Sequence, residues 1–95
     1  MRITEDERKV LIDAVHKVDA DAQIWLFGSR VDDTKKGGDI DIAILSRRLD
    51  RLGRMSIRRS VTDRLGERQI DIVVSADGSE PFFRLAIETG VLIDG

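Results

Sequence analysis

The sequence predicts an α/β (α+β) fold: a small mixed β-sheet flanked by helices, in one domain spanning residues 1–95. Three observations predict it. Short apolar runs recur at Ile24-Trp25-Leu26-Phe27, Ile40 to Leu45 and Ile70 to Val74, with the length and β-branched content of buried strands. Two longer stretches, after Thr4 and after Asp50, carry apolar residues at helical spacing. The connection between the second and third runs is long enough for the helical crossover that joins parallel strands.

Taken in order, Thr4 caps a first helix, with Glu5, Asp6 and Glu7 at its positive end. Val10, Leu11, Ala14, Val15 and Val18 form its apolar stripe, and the helix is expected to stop around Asp19. A first strand follows, Gln23 to Phe27. Gly28 to Gly38 is a turn that begins with one or two helical turns after Ser29, and Lys35-Lys36-Gly37-Gly38 has loop composition. The second strand runs from about Asp39 to Leu45. Ile40, Ile42 and Ile44 line one face; Asp39, Asp41, Ala43 and Leu45 line the other. Apolar residues on both faces imply a strand covered on both sides.

Asp50 to Leu65 reads as a second helix, with Leu52, Ile57, Val61 and Leu65 facing the core and Gly66 as its C-terminal cap. Gln69 to Val74 is a third strand. Pro81 suits the first turn of a last helix that reaches Thr89, and Gly90 ends it. Val91-Leu92-Ile93 adds a short final strand. No repeat, low-complexity stretch or linker divides the chain.

Composition narrows the chemistry. Ninety-five residues, 41% hydrophobic and 36% charged, suit one soluble domain with a single core. There is no cysteine, and His16 is the only histidine, so thiolate and His-rich metal centres are excluded. A bound metal would need oxygen ligands, which points to magnesium, manganese or calcium. No apolar run approaches a membrane span, and Met1-Arg2-Ile3-Thr4-Glu5-Asp6 is no signal peptide. The expected place is the cytoplasm.

A net charge of −2 argues against a general nucleic-acid binder. Yet Arg47, Arg48, Arg51, Arg54, Arg58, Arg59 and Arg64 crowd one segment. Arg47, Arg51, Arg54 and Arg58 fall on one helix face, either a docking face for an acidic partner or RNA, or a solvated surface. His16 reads as an ordinary helix residue and Trp25 as core. Phe82 and Phe83 pack the last helix, and an exposed one would anchor a partner.

The chemistry-bearing residues cluster around the first two strands. Asp39 and Asp41 stand at i and i+2, so both project from one face and repel unless a cation lies between them. Gly28 and Ser29 close the preceding strand with backbone N–H groups suited to phosphate oxygens. Asp71 repeats the apolar-Asp-apolar pattern in the third strand. If strands two and three are parallel neighbours and the first runs antiparallel, Asp41, Asp71, Gly28 and Ser29 meet at one end of the sheet. Such a set suits phosphoryl or nucleotidyl transfer. Asp39 and Asp41 could hold two ions between them, Asp71 would complete the one nearer the acceptor, and Ser29 adds a hydroxyl donor. Arg30 either binds the triphosphate or pairs with Asp32 or Asp33. No Gly-x-x-x-x-Gly-Lys loop, Gly-x-Gly-x-x-Gly fingerprint or calcium-binding loop competes.

Phe27-Gly28-Ser29-Arg30, then Asp39-x-Asp41, then Asp71 in a later strand resembles the DNA polymerase β-like nucleotidyltransferase superfamily. In length and layout the chain is similar to its minimal nucleotidyltransferase (MNT) group, often paired with a HEPN-domain protein in prokaryotic toxin–antitoxin systems. The resemblance runs from the first helix to Gly90-Val91-Leu92. It implies that Asp39, Asp41 and Asp71 are catalytic and hold two Mg2+ ions, with Mn2+ as a substitute. It also implies that Gly28, Ser29 and Arg30 bind ATP, and that AMP passes to a hydroxyl acceptor. In the toxin–antitoxin members that acceptor is a tyrosine of the HEPN toxin, so the expected role is that of an AMPylating antitoxin in a hetero-oligomer. RNA or a small molecule as acceptor, or an antitoxin that neutralises by binding alone, are the alternatives. One departure is Gly38, where many relatives carry serine before the first aspartate.

Overall fold

The computed structural model describes residues 4–28, 40–66 and 69–94. Helix α1 (Glu5–His16) begins where the sequence places it. Thr4 Oγ1 accepts from the Glu7 backbone N–H and Glu7 answers with its carboxylate on the Thr4 N–H, a reciprocal capping box. The helix ends at His16, earlier than Asp19. Strand β1 (Gln23–Phe27) follows, then β2 (Ile40–Leu45), α2 (Arg51–Leu65), β3 (Ile70–Ser75), α3 (Pro81–Thr89) and β4 (Val91–Asp94). Asp50 caps α2 by accepting from the Gly53 N–H at 2.8 Å. Gly66 ends it with φ +84, a conformation in which glycine carries no Cβ penalty.

The four strands form one mixed sheet in the order β3-β2-β1-β4. β1 pairs antiparallel with both β2 and β4, whereas β2 and β3 run parallel. This is the α+β arrangement expected from the sequence. Both conditions set on the pairing are met.

Strand alternation sorts the two faces. Ile24, Leu26, Ile40, Ile42, Ile44, Ile70, Ile72 and Ile93 pack against Val10, Leu11, Ala14 and Val15 of α1 and Ile57 and Val61 of α2. On the other face α3 covers Trp25, Ala43 and Val73 with Phe83 and Ala86. The Phe83 and Trp25 rings meet edge to face at 5.8 Å. Two contacts tie β4 to α1: Arg8 donates to the Ile93 carbonyl at 3.2 Å, and His16 Nε2 lies 2.7 Å from Asp94 Oδ2, close but poorly aligned for a hydrogen bond.

The second helix corrects one expectation. Leu52 is 72% exposed, and buried Gly53 takes its place on the core side. Gly53, Ile57 and Val61 recur every four residues and form the packing ridge; Leu52 is one position, about 100°, away from it. Space explains the choice: a Cβ on Gly53 would lie 3.0 Å from Val18 Cγ1, so this helix approaches closely. The arginine face changes at its start too, because Arg47 lies in the bend before α2 rather than on it. Arg51, Arg54 and Arg58 are on the helix and exposed.

Candidate active site

The site forms at the end of the sheet where β2 and β3 begin and β1 finishes. In the parallel pair Asp41 lies opposite Asp71. In the antiparallel pair Phe27 lies opposite the same Asp41. The Ile residues on either side of each aspartate are buried against α1 and α2, so both carboxylates point to the α3 face. Among the described residues helix α3 covers the middle of that face and nothing covers this end: Asp71 is exposed and Asp41 half-buried.

The sheet alone brings the two carboxylates together. Neighbouring strands lie about 4.8 Å apart. Like charges held on neighbouring strands repel, the more so the closer they stand and the less water lies between them. Asp71 has no hydrogen bond or ion pair with another described residue. A divalent cation between them would turn this repulsion into attraction, and carboxylate oxygens are the donors that hard cations select.

Gly28 closes the other side. It follows Phe27 directly, has φ +73, and lies so near Asp41 that a Cβ would collide with Oδ2 and stand 3.1 Å from Cγ. Any side chain there would fill the space in front of the Asp41 carboxylate. Glycine both permits the turn and keeps that space open.

Of the six residues singled out in the sequence, Gly28, Asp41 and Asp71 are therefore brought together. Ser29, Arg30 and Asp39 lie outside the described residues, as does the expected turn from Ser29 to Gly38. Among the described residues no group of three or more metal-ligating side chains occurs; the described part of the site holds two carboxylates.

Sequence reasoning did not anticipate what borders the site. Phe82 is 58% exposed, with its ring 6.2 Å from that of Phe27 and edge to face. It stands beside the strand position opposite Asp41. Its place next to Pro81, in the first turn of α3, was the available signal, since a first-turn residue can project past the sheet it covers. Phe83, by contrast, is 1% exposed.

A second polar cluster occupies the opposite end of the sheet, around a cleft of about 460 Å3 lined by Asp19, Ser46, Arg47, Arg48 and Asp77, among others. There the Ser46 hydroxyl donates to Asp19 Oδ2 at 2.6 Å, and the Asp21 N–H donates to Oδ1 at 3.0 Å. The Ser46 oxygen in turn accepts from the Arg48 and Leu49 amides. The Ser46 hydrogen bond holds the Asp19 carboxyl below its ordinary range, against the opposing effect of burial. This network satisfies its own members, so we assign it to stability rather than to ligand binding.

Among the described residues no helix is long and apolar enough to cross a membrane. No curated protein matches the chain. A family described as "Polymerase beta, Nucleotidyltransferase" matches residues 9–94, from α1 to the end of β4. That span includes the glycine turn and all three aspartates. Domains of this kind typically use divalent metal ions. The chain belongs to the polymerase beta nucleotidyltransferase family and is a nucleotidyltransferase.

Proposed function

We propose that the protein transfers AMP from ATP to a hydroxyl of a partner protein, and that it acts as the antitoxin of a HEPN-domain toxin in the cytoplasm. One observation carries the chemistry: Asp41 in register with Asp71, with the Gly28 turn held against it. The protein-acceptor and antitoxin roles rest on the resemblance of the sequence to the minimal nucleotidyltransferase group.

Asp41 and Asp71, joined by Asp39, supply the oxygen ligands for Mg2+ or Mn2+. When bound, such ions lower the pKa of an acceptor hydroxyl and neutralise charge on the departing pyrophosphate. The chain's own residues do the rest. Gly28 lets the triphosphate approach main-chain N–H groups without meeting a side chain. Ser29 adds a hydroxyl donor and Arg30 a guanidinium for the phosphates. Asp71, on the outermost strand, is the carboxylate that an incoming acceptor meets first. The acceptor oxygen bonds to the α-phosphorus, and the bond from that phosphorus to the bridging oxygen of the β-phosphate breaks. Pyrophosphate leaves with the electron pair, and the hydroxyl proton passes to Asp71.

The test is incubation of the protein with Mg2+ and α-labelled ATP, alone and with a HEPN-domain protein. Label on that protein, lost with Asp41→Asn and with Asp71→Asn, is the expected result. Label on RNA or a metabolite instead would overturn the acceptor and keep the chemistry. Neutralisation of the toxin by Asp41→Asn would show an antitoxin that acts by binding alone.

A further inference from the structure

The two edges of the sheet differ. At one edge β4 has four residues, its register with β1 shifts between Ile24 and Trp25, and its Ile93 carbonyl takes the Arg8 guanidinium. Short length, irregularity and a covering charge are the devices by which proteins protect an edge strand from further pairing. At the other edge β3 runs six residues in unbroken register with β2. It has no lysine, no proline and no bulge.

The direction of its main-chain groups follows from the ends of the ladder. The Ile40 N–H bonds to the Gln69 carbonyl and the Ser46 N–H to the Ser75 carbonyl, each at 2.9 Å. With the two-residue period of a strand, Gln69, Asp71, Val73 and Ser75 turn their polar groups toward β2. Ile70, Ile72 and Val74 turn theirs outward, and no described residue bonds to them. An open row of alternating N–H and C=O groups is a template for an added strand.

We infer that this edge of β3 receives the acceptor as an extended peptide segment, paired so that its hydroxyl-bearing side chain stands beside Asp71. The inference rests on the nucleotidyl-transfer reading for its chemistry, and on the sheet for its geometry. Gly28 lies against Asp41 from the β1 side, whereas Asp71 stands on the outermost strand with its outer edge unpaired among the described residues. A strand added about 4.8 Å beyond β3 places alternate side chains on the face that carries Asp71. A tyrosine, serine or threonine there meets the exposed carboxylate directly.

The same geometry disfavours a nucleic-acid acceptor. β3 carries no cation, and the arginines of α2 lie across the sheet from Asp71, whereas a phosphate backbone is held mainly by Lys and Arg. The bonds made and broken are those of the proposed reaction, with ATP as the nucleoside triphosphate and pyrophosphate as the leaving group.

The experiment uses the full chain and two synthetic peptides, Thr-Val-Tyr-Val-Thr and the same sequence methylated on every amide nitrogen, each at millimolar concentration. Amide hydrogen exchange at Ile70, Ile72 and Val74 is followed by NMR, and transfer from α-labelled ATP is measured in parallel. Exchange at Ile72 and Val74 is expected to slow at least about fivefold with the parent peptide and not with the methylated one. Labelling of the tyrosine is expected to fall at least about tenfold on methylation. Unprotected edge amides, or equal labelling of both peptides, would overturn the inference while leaving nucleotidyl transfer intact. Protection without label on either peptide would keep the docking edge and overturn the transfer chemistry instead.

Discussion

The two ends of the sheet treat carboxylates in opposite ways. At the end where β1 begins, Asp19 is 5% exposed, and it accepts hydrogen bonds from the Ser46 hydroxyl and the Asp21 amide. Its charge is met from within the chain. At the end where β1 finishes, Asp41 and Asp71 are set opposite one another by parallel pairing, and like charge faces like charge. Two carboxylates held side by side on adjacent strands repel one another, a cost that asparagine at Asp71 would remove. The contrast separates a carboxylate that holds the fold together from a pair that the proposed function assigns to a cation.

The most direct way to break this contrast is at the pair. Asp41→Asn or Asp71→Asn is expected to lower nucleotidyl transfer by about 10²- to 10⁴-fold, because several kcal/mol of metal-borne charge stabilisation disappear. In metal-free buffer Asp71→Asn should melt at or slightly above the wild-type temperature, since a like charge facing Asp41 is removed. A fall in both activity and melting temperature would mean that the pair is structural.

Gly28→Ala tests the space in front of Asp41 rather than its charge. The new Cβ would collide with the carboxylate, in a backbone conformation that costs a non-glycine residue about 1–2 kcal/mol. Transfer should drop about 10- to 100-fold, which corresponds to about 1.4–2.7 kcal/mol. The loss should persist at saturating Mg2+, because the obstruction is steric.

Ser46→Ala attacks the other end of the sheet, and its effects should be reversed. Removing the donor to a buried carboxylate costs about 1–3 kcal/mol, which for a domain of this size lowers the melting temperature by several degrees, with transfer activity retained. The pH dependence has a definite sign. The folded-state pKa of Asp19 is depressed from its ordinary value of 3.8, first by the Ser46 hydroxyl. Its stabilisation is therefore present above that value and lost as pH falls through the lower folded-state value. The gap in stability between wild type and Ser46→Ala should narrow as pH drops below 3.8, measured by thermal melts across that range.

Why one end of the sheet could be read in advance and the other could not follows from where each signal resides. The strands and their faces were legible because alternation is local: Ile40, Ile42 and Ile44 mark one face, and Asp41 must take the other. That Asp41 meets Asp71 was legible only as a condition, because register is a property of pairing rather than of either strand alone. The Asp19–Ser46 bond joins residues 27 apart, and neither belongs to a motif, so nothing in the chain announced it. The outward groups of β3 are main-chain atoms, which carry no residue identity at all.

Leu52 gives the smallest effect and tests the reading of periodicity itself. Counted by hydrophobicity it belongs to the apolar stripe of α2, because glycine scores as a gap. Counted by contact distance the stripe is Gly53, Ile57 and Val61, since a helix lying this close to Val18 has no room for a side chain there. Leu52→Ala should then cost no more than about 0.5 kcal/mol, as at an ordinary surface position, while Ile57→Ala, fully buried, should cost about 2–5 kcal/mol. Denaturant melts of the two variants decide between the counts. Equal losses would mean that the helix presents the face its hydrophobic pattern suggests. A large difference would mean that a missing Cβ, rather than a present methyl group, sets how α2 lies on the sheet.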